Sequence, residues 1–176
     1  PKSPTAKMSS NNTRFTKGVP RLHLCLSTGF GLGFVPKAPG TAAGFAALLL
    51  WYALYLLLPP CYLTPTTAAL IISTSILGVW TANVMERYWG ADPRAVVIDE
   101  FVGTWIALLA PPADTPTATA LWSLLAFALF RLIDIWKPLG CRWIDRNVKG
   151  GVGCILDDVL AGAYALLIVS TLRWLF

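Results

Sequence analysis

The chain has 176 residues, of which 56% are hydrophobic and 13% are charged, and its formal net charge is +5. This composition excludes an ordinary soluble globular domain and indicates a single-domain integral membrane protein. The positive charge is divided between the N-terminal tail and short stretches that separate apolar runs, which argues against a nucleic-acid-binding surface. The four cysteines form no CxxC pair and lie in or beside apolar segments, so we expect neither a disulfide framework nor a zinc site.

The N-terminal part of the chain divides into a polar tail and an irregular apolar element. Residues 1–21 lack an apolar core, so we interpret them as a tail rather than a cleaved signal peptide, and we assign residues 22–176 to one membrane-embedded domain. The Gly and Pro residues of segment 22–41 predict an interfacial or re-entrant element followed by a loop. His23 in this element is expected to be a packing residue rather than a general base. The glycines can expose N–H groups to a phosphate, although a glycine-rich loop is a weak signal by itself.

Apolar stretches separated by Pro-rich or charged breaks predict five spanning helices. Their predicted bounds are residues 42–58, 67–85, 93 or 94 to about 110, 117–136 and 154–175. Thr41 is well placed to cap the first helix, and Pro138 disfavours helical geometry at Lys137 after the fourth. The stretch from Lys137 to Gly153 is expected to be a basic, Gly-rich loop. Because the first helix is of marginal length, the sequence predicts an all-α membrane bundle of four to five transmembrane helices.

The charged residues are distributed unevenly between the two sides of this bundle. Thirteen of the fourteen Lys and Arg residues fall on the side of the N-terminus, which the positive-inside rule makes cytosolic; only Arg173 lies opposite. Eight of the nine acidic residues lie on the same side, all but Asp114, although the rule concerns Lys and Arg only. The shared location of acids and bases therefore requires a separate explanation.

Carboxylates occur where three different predicted helices meet the cytosolic side. Asp99 and Glu100 lie near the start of the third helix, Asp134 near the end of the fourth, and Asp157 and Asp158 at the start of the fifth. In a compact bundle these groups can meet, and like charges that meet need a cation between them or raised pKa values. Carboxylate oxygens are the ligands that Mg²⁺ prefers, so all five acids are predicted metal ligands.

A dense cluster of charge follows the fourth helix. Residues 131–158 hold nine of the chain's twenty-three charged side chains. Arg131, Asp134 and Lys137 recur every three residues and so share one broad helical face. They can form a helix-end ion pair, snorkel to the headgroups or clamp a phosphate; we favour the clamp because the acids lie beside it. For Arg146 and Lys149, contacts with anionic lipids and with substrate are equally compatible with the sequence.

The segments IDEFVG (98–103) and LDDVLAG (156–162) resemble each other. In each, a glycine follows a carboxylate by four residues, Gly103 after Asp99 and Gly162 after Asp158. The glycine and the acid then share a helix face, where a neighbouring helix can approach closely. Ordinary membrane-helix packing explains the pattern equally well.

Five motifs in this order, VPKAPGT, IDEFVG, RLIDIWKP, RWIDRN and GGVGCILDDVLAG, resemble the phosphatidylglycerophosphatase A family. The resemblance extends from about Gly29 to the C-terminal helix. Two positions depart from the family pattern: Ala43-Gly44 stands where Gly-Ser is more usual, and Gly140 where a second Pro often follows Lys-Pro. Both are loop or helix-entry positions, so they affect the expected local geometry more than the expected chemistry.

The resemblance implies a Mg²⁺-dependent enzyme of the bacterial cytoplasmic membrane that removes the terminal phosphate of phosphatidylglycerophosphate. It implies that the five carboxylates named above bind metal and catalyse. The substrate-binding residues that follow from it are Arg131, Lys137, Arg142 and Asp145, and Thr41 of VPKAPGT is added to them. Water or an Asp carboxylate would attack phosphorus in line with the leaving glycerol oxygen.

Two other functions use similar residues. A phospholipid-headgroup transferase also uses clustered Asp residues and Mg²⁺, but the chain has no DGxxAR-type motif. A small ion transporter would carry ionisable groups near mid-membrane, whereas these lie near one boundary. Phosphate release without a nucleotide would distinguish the first, and ion flux in liposomes without phosphatase activity the second.

Overall fold

The computed structural model describes residues 18–90, 93–110, 112–138 and 140–175. The tail predicted for residues 1–21 falls largely outside these ranges. Within the described residues the regular structure is entirely helical. Its elements are a 3₁₀ turn (Leu32–Phe34) and the helices α1 (Arg21–Ser27), α2 (Pro39–Leu57), α3 (Pro60–Trp89), α4 (Ile98–Ala107), α5 (Pro116–Trp136), α6 (Cys141–Asn147) and α7 (Gly150–Leu175).

Four of these helices, α2, α3, α5 and α7, are long and apolar enough to cross a membrane. Their large exposed side chains are mostly aliphatic or aromatic, as is expected of surfaces that face lipid rather than water. The prediction of an all-α membrane bundle with four to five transmembrane helices is therefore confirmed.

The N-terminal element is not a spanning helix, as its glycines and prolines predicted. The short α1 packs against α3, where the His23 and Trp80 rings meet edge to face with centroids 4.4 Å apart. This contact agrees with a packing role for His23. The backbone N–H of Val97 donates to the Ser27 carbonyl at 2.8 Å, which ties this element to the residues that precede α4.

The start of α2 differs from the prediction. The helix begins at Pro39, three residues before the predicted start, and its N-cap is Ala38 in the left-handed conformation (φ 50°). Thr41 therefore lies inside the helix, and the prediction that it caps α2 is wrong. Proline is favoured at the first helical position because its missing N–H would have no partner there and its φ is already helical.

The predicted loop before the second long helix is also wrong. The helix α3 starts at Pro60 instead of residue 67 and continues through Pro65 to Trp89. Pro60 occupies the first helical position, where a missing N–H costs nothing. Pro65 removes one backbone hydrogen bond near the start of this thirty-residue helix, which tolerates the loss.

The third predicted spanning helix is much shorter than expected. The observed α4 has ten residues, about 15 Å, whereas a spanning helix needs roughly twenty. After α4 the chain nevertheless continues to the end of the bundle opposite Asp99 and Glu100. Two contacts place it there: the carbonyl of Pro112 accepts from Arg173 at 3.2 Å, and that of Pro116 accepts from Tyr52 at 3.1 Å. A half-length helix and an irregular segment thus cross the bundle together.

Position inside the bundle explains why α4 tolerates this irregularity. It packs against α2, α3, α5 and α7, and eight of its ten residues are buried. Backbone that leaves a helix at membrane depth is acceptable only where protein surrounds it. The burial of α4 also means that Asp99 and Glu100, in its first turn, begin within the bundle rather than on its surface.

The segment after the fourth predicted helix is not the loop that the sequence indicated. The helix α5 ends at Trp136 as predicted, but Cys141–Asn147 forms the short helix α6, and α7 begins at Gly150 instead of residue 154. Left-handed Lys137 (φ 49°) and positive-φ Gly140 (φ 81°) reverse the chain direction between α5 and α6. This fold returns the basic residues of α6 towards the start of α7.

Candidate active site

The helix ends that carry the acids enclose a cavity of about 880 Å³, which we call the acidic cavity. Seven of the chain's nine acidic residues line it: Glu86, Asp99, Glu100, Asp134, Asp145, Asp157 and Asp158. Four basic residues line it as well: Arg94, Arg131, Lys137 and Lys149. With every group ionised, the acids exceed the bases by three, so the cavity favours a bound cation.

Three of these carboxylates can share one ion. One oxygen from each of Asp134, Asp157 and Asp158 lies within 4.8 Å of the others. Asp157 and Asp158 are only 7% and 4% exposed. Asp157 Oδ1 and Asp158 Oδ2 are buried and accept no hydrogen bond from the residues that the structure describes. Buried carboxylate oxygens without a donor suit a hard divalent cation such as Mg²⁺, so this group fits the predicted metal.

Asp99 and Glu100 line the same cavity but lie outside that group of three. Asp99 accepts from the Cys154 thiol, with Sγ and Oδ2 2.9 Å apart, and from the Glu100 backbone N–H at 3.0 Å. Glu100 is held by an ion pair with Arg131. The five acids predicted from the sequence thus meet in one space but divide into three that can ligate one ion and two beside them.

Arg131 connects these two acid groups. Its guanidinium pairs with Glu100 and, through Nη1 at 3.1 Å, with Asp134. The helix-end ion pair that the sequence allowed for Arg131 and Asp134 is therefore present. The side chain is 13% exposed and lines the acidic cavity, so the same residue also faces the interior of that space.

Lys137 bridges two further carboxylates. Its Nζ lies 2.7 Å from Asp145 and 2.5 Å from Asp157. Burial alone would lower the pKa of Lys137, but the hydrogen bonds and charges of Asp145 and Asp157 outweigh it and raise that pKa above its ordinary value. Lys137 has a left-handed backbone conformation, and its ammonium group lies beside Asp157.

A second space, the outer groove, adjoins the acidic cavity. It has a volume of about 540 Å³ and is lined by Trp136, Lys137, Pro138, Gly140, Arg142, Trp143, Arg146 and Asn147. Of the predicted substrate-binding residues, Thr41, Arg131, Lys137 and Asp145 line the acidic cavity, whereas Arg142 lines only the outer groove. The structure therefore does not bring Arg142 to the clustered acids.

The sequence interpretation did not single out several residues that line the cavity or lie next to it. At Gly40, a Cβ would overlap the Glu100 carboxylate as that side chain is placed here. Asn83 accepts from the Gly151 backbone N–H at 2.8 Å and so binds the start of α7; a polar amide inside an apolar span was the available signal. Cys154 was given no role at the site, yet its thiol contacts Asp99. Arg94 and Glu86 carried no motif that marked them.

Comparison with known proteins agrees with the motifs. The profile of the phosphatidylglycerophosphatase A family matches residues 25–173. Phosphatidylglycerophosphatase A of Escherichia coli is 38% identical over 139 residues, 78% of this chain and 75% of its own length. The Haemophilus influenzae protein of the same name is 36% identical over 154 residues, 87% of this chain and 89% of its own length.

A third relative carries another name. A Bacteroides thetaiotaomicron protein, provisionally named phosphatidylinositol-3-phosphatase, is 50% identical over 154 residues, which is 87% of this chain and 94% of that protein. No solved structure gives a significant match. The match to the family profile covers most of the chain and includes Asp134, Asp157 and Asp158. The chain therefore belongs to the phosphatidylglycerophosphatase A family, and it is a phosphatase.

Proposed function

We propose that this protein uses Mg²⁺ to hydrolyse the terminal phosphomonoester of phosphatidylglycerophosphate, giving phosphatidylglycerol and inorganic phosphate. The observation that carries the proposal is the gathering of Asp134, Asp157 and Asp158, with two orphaned oxygens, beside the cations Arg131 and Lys137. The names of the Escherichia coli and Haemophilus influenzae relatives support the choice of substrate.

The cavity offers two kinds of group to a phosphate. The three gathered carboxylates would hold the metal, which when bound neutralises charge on the phosphoryl oxygens. Arg131 and Lys137 would bind the remaining non-bridging oxygens, Arg131 with a planar fork and Lys137 as a compact charge. A dianionic phosphomonoester would thereby be bound by the metal, Arg131 and Lys137, although carboxylates line most of the cavity.

Hydrolysis also requires a group that accepts a proton from water. Water would attack phosphorus in line with the glycerol oxygen, a P–O bond to water forming as the P–O bond to glycerol breaks. Asp99 is better placed than Glu100 to take the water proton, because Glu100 is already bound by Arg131. The released glycerol oxygen ends as a hydroxyl, so the proton taken from water is returned overall.

We further propose that the acidic cavity opens at the cytosolic face of the bacterial inner membrane. Cavity-lining residues come from the ends of spans that the distribution of Lys and Arg predicts to be cytosolic. Exposed Trp136 and Trp143 stand beside the cavity, and tryptophans favour the membrane–water boundary. Labelling of single cysteines at Arg94 and at Asp114 in inverted and right-side-out vesicles tests this, because only the first should react from the cytosolic side.

A second substrate follows from the Bacteroides thetaiotaomicron relative. Phosphatidylinositol 3-phosphate also carries a phosphomonoester on a phospholipid headgroup, so the metal group and Arg131 would meet the same chemistry. It differs in presenting that phosphate on a bulky ring rather than on a primary glycerol carbon. A direct comparison of kcat/KM for the two lipids decides between them.

The deciding assay measures inorganic phosphate released by the purified protein in nonionic detergent micelles, with Mg²⁺ and with EDTA. We expect release from phosphatidylglycerophosphate with Mg²⁺ and loss of release with EDTA, without any nucleotide. Asp158→Asn should be inactive, whereas Asp114→Asn, an exposed acid at the opposite end, should match the wild type. Absence of release from both phospholipids in the presence of Mg²⁺ would reject the proposal.

A further inference from the structure

The outer groove and the acidic cavity adjoin but differ in charge. They share Lys137, which lines both. The charged residues that line the groove are Lys137, Arg142 and Arg146, all of them basic, whereas seven carboxylates line the cavity. An anion in the groove would therefore lie close to the proposed reaction site without entering it.

The two arginines of the groove are available to such an anion. Arg142 and Arg146 are four residues apart on α6, so they lie on one face of that helix, and both are exposed. Among residues 18–90, 93–110, 112–138 and 140–175, neither forms an ion pair; Arg142 donates only to the Trp136 carbonyl at 3.4 Å. Asp145, between them in sequence, is instead bound to Lys137.

Aromatic side chains flank the arginines. Trp136 and Trp143 line the groove and are 71% and 64% exposed, and the neighbouring Ile135 is 71% exposed. Large exposed apolar groups beside unpaired arginines are unusual for a surface in water, but they are typical of the headgroup level of a membrane. The groove thus combines arginines that can bind an anion with exposed aromatic side chains that can contact the first part of lipid acyl chains.

We propose that the outer groove binds the phosphodiester of the lipid substrate while the acidic cavity holds its phosphomonoester. The inference rests on the proposed function, because it requires a phospholipid phosphomonoester as substrate. It does not depend on whether glycerol or inositol separates the two phosphates. Arg142 and Arg146 bind the singly charged diester, the headgroup passes Lys137, and the acyl chains leave along Trp136 and Trp143.

The test compares a lipid with a phosphomonoester that lacks the diester. Wild type, Arg142→Gln and Arg146→Gln are assayed in nonionic micelles with phosphatidylglycerophosphate and, separately, with p-nitrophenyl phosphate. Each variant should lower the ratio of kcat/KM for the lipid to that for p-nitrophenyl phosphate by about tenfold, mainly through KM, as expected for loss of one charge-assisted contact. Arg87→Gln, an exposed arginine that lines neither space, is the matched control.

A second measurement uses phosphatidylglycerol, which keeps the diester and lacks the monoester. It should inhibit the wild type competitively, and the inhibition constant should rise about tenfold in both variants. Unchanged lipid KM and unchanged inhibition would overturn the inference. So would an effect seen only in anionic vesicles and absent in nonionic micelles, because that result assigns the arginines to general membrane attraction. Failure of the proposed function is distinguishable, since the wild type would then release no phosphate from lipid.

Discussion

Gly162 on α7 faces the backbone of Gly103 on α4, and a Cβ atom on Gly162 would lie 2.5 Å from the Gly103 carbonyl oxygen. A Cβ on Gly103 would in turn lie 3.0 Å from the Asp158 carbonyl oxygen. The two helices therefore cross at a separation that only glycine permits. Because Asp158 is one turn before Gly162, this crossing brings it beside Asp99 and Glu100, the acids that act on it electrostatically.

Substituting Gly162 with Ala should separate these helices. We expect a loss of about 1–3 kcal/mol in the free energy of unfolding, from overpacking against backbone that cannot yield, together with reduced phosphate release. Val152→Ile adds a methylene at an exposed position of the same helix and is the control. Thermal unfolding in detergent measures the difference, and a Gly162→Ala protein with unchanged stability and activity would show that the close crossing is unnecessary.

Asp158→Asn should abolish turnover without unfolding the protein. The substitution keeps the shape of a buried side chain but removes the charge of one of three carboxylates that can share an ion. We expect phosphate release to fall by roughly 100-fold or more, the range typical of lost catalytic groups. Asp99→Asn should have a comparable effect if Asp99 accepts the water proton. Circular dichroism and size-exclusion profiles like those of the wild type must accompany the loss, and near-normal activity in either variant would remove that residue from the catalytic set.

Bound Mg²⁺ should stabilise the protein independently of catalysis. A ligand that binds only the folded state adds about 2.7 kcal/mol at a hundred times its dissociation constant. We therefore expect Mg²⁺ to raise the Tm of the wild type and of Asp114→Asn, and EDTA to reverse the rise. Asp157→Asn and Asp134→Asn should lose most of the shift because each removes one ligand charge from the group. Equal shifts in all four proteins would place the ion elsewhere.

Arg131→Ala should destabilise the protein strongly. The guanidinium compensates Glu100 and Asp134, and the pair with Glu100 is almost buried, with side chains 13% and 12% exposed. Removing one partner of a buried ion pair typically costs about 3–5 kcal/mol, because the other charge stays buried without compensation. The double variant Arg131→Ala/Glu100→Gln should recover part of that stability, since it also removes the uncompensated charge. A double variant less stable than the single one would contradict this account.

Lys137 should contribute equally across the physiological pH range. Its pKa is raised by Asp145 and Asp157, so its ion pairs are fully present below the ordinary lysine value and are lost only as the pH rises through the higher folded-state value. The difference in stability between wild type and Lys137→Met should therefore be constant from about pH 6 to 9, well below the ordinary value near 10. A difference that shrinks within that interval would show that Lys137 loses its proton there.

The sequence predicted that the acids of the site meet in one space, which the structure shows, but it predicted the ends of the helices that carry them less well. Charged groups are costly in a membrane unless they are paired or bind an ion, so the positions of Asp99, Asp134 and Asp158 near one boundary were informative without any structure. The echo between Gly103 and Gly162 likewise indicated a close helix contact, which the structure confirms. These signals are local in sequence and depend on the chemistry of the residue type.

The wrong predictions concern the ends of helices. At these positions the same residue type, such as proline, can either begin a helix or interrupt it. Pro59 and Pro60 were interpreted as part of a break, yet Pro60 begins α3 because the first helical position needs no N–H. The apolar composition of the third segment predicted a spanning helix, but α4 ends at Ala107. The surrounding helices bury the irregular backbone that follows, and this burial allows the helix to end at membrane depth. Neither outcome can be deduced from a single segment.

Most of the ion-pair partners of the basic residues also could not be predicted from the sequence. Spacing placed Arg131 and Lys137 on one face, but it could not show that each would bridge two acids from different elements. Arg142 was predicted to bind substrate from the family resemblance, but the sequence did not predict the helix α6, which carries Arg142 to the outer groove. The sequence therefore did not predict that Arg142 lies in a different space from Arg131 and the clustered acids.

The division of the acids between α4 and the last helix has a consequence for biosynthesis. Asp99 and Glu100 leave the ribosome long before Asp157 and Asp158, yet the cavity receives its final wall only when α7 packs against α4. A translation product truncated before α7 would therefore lack Asp157 and Asp158 and one wall of the acidic cavity.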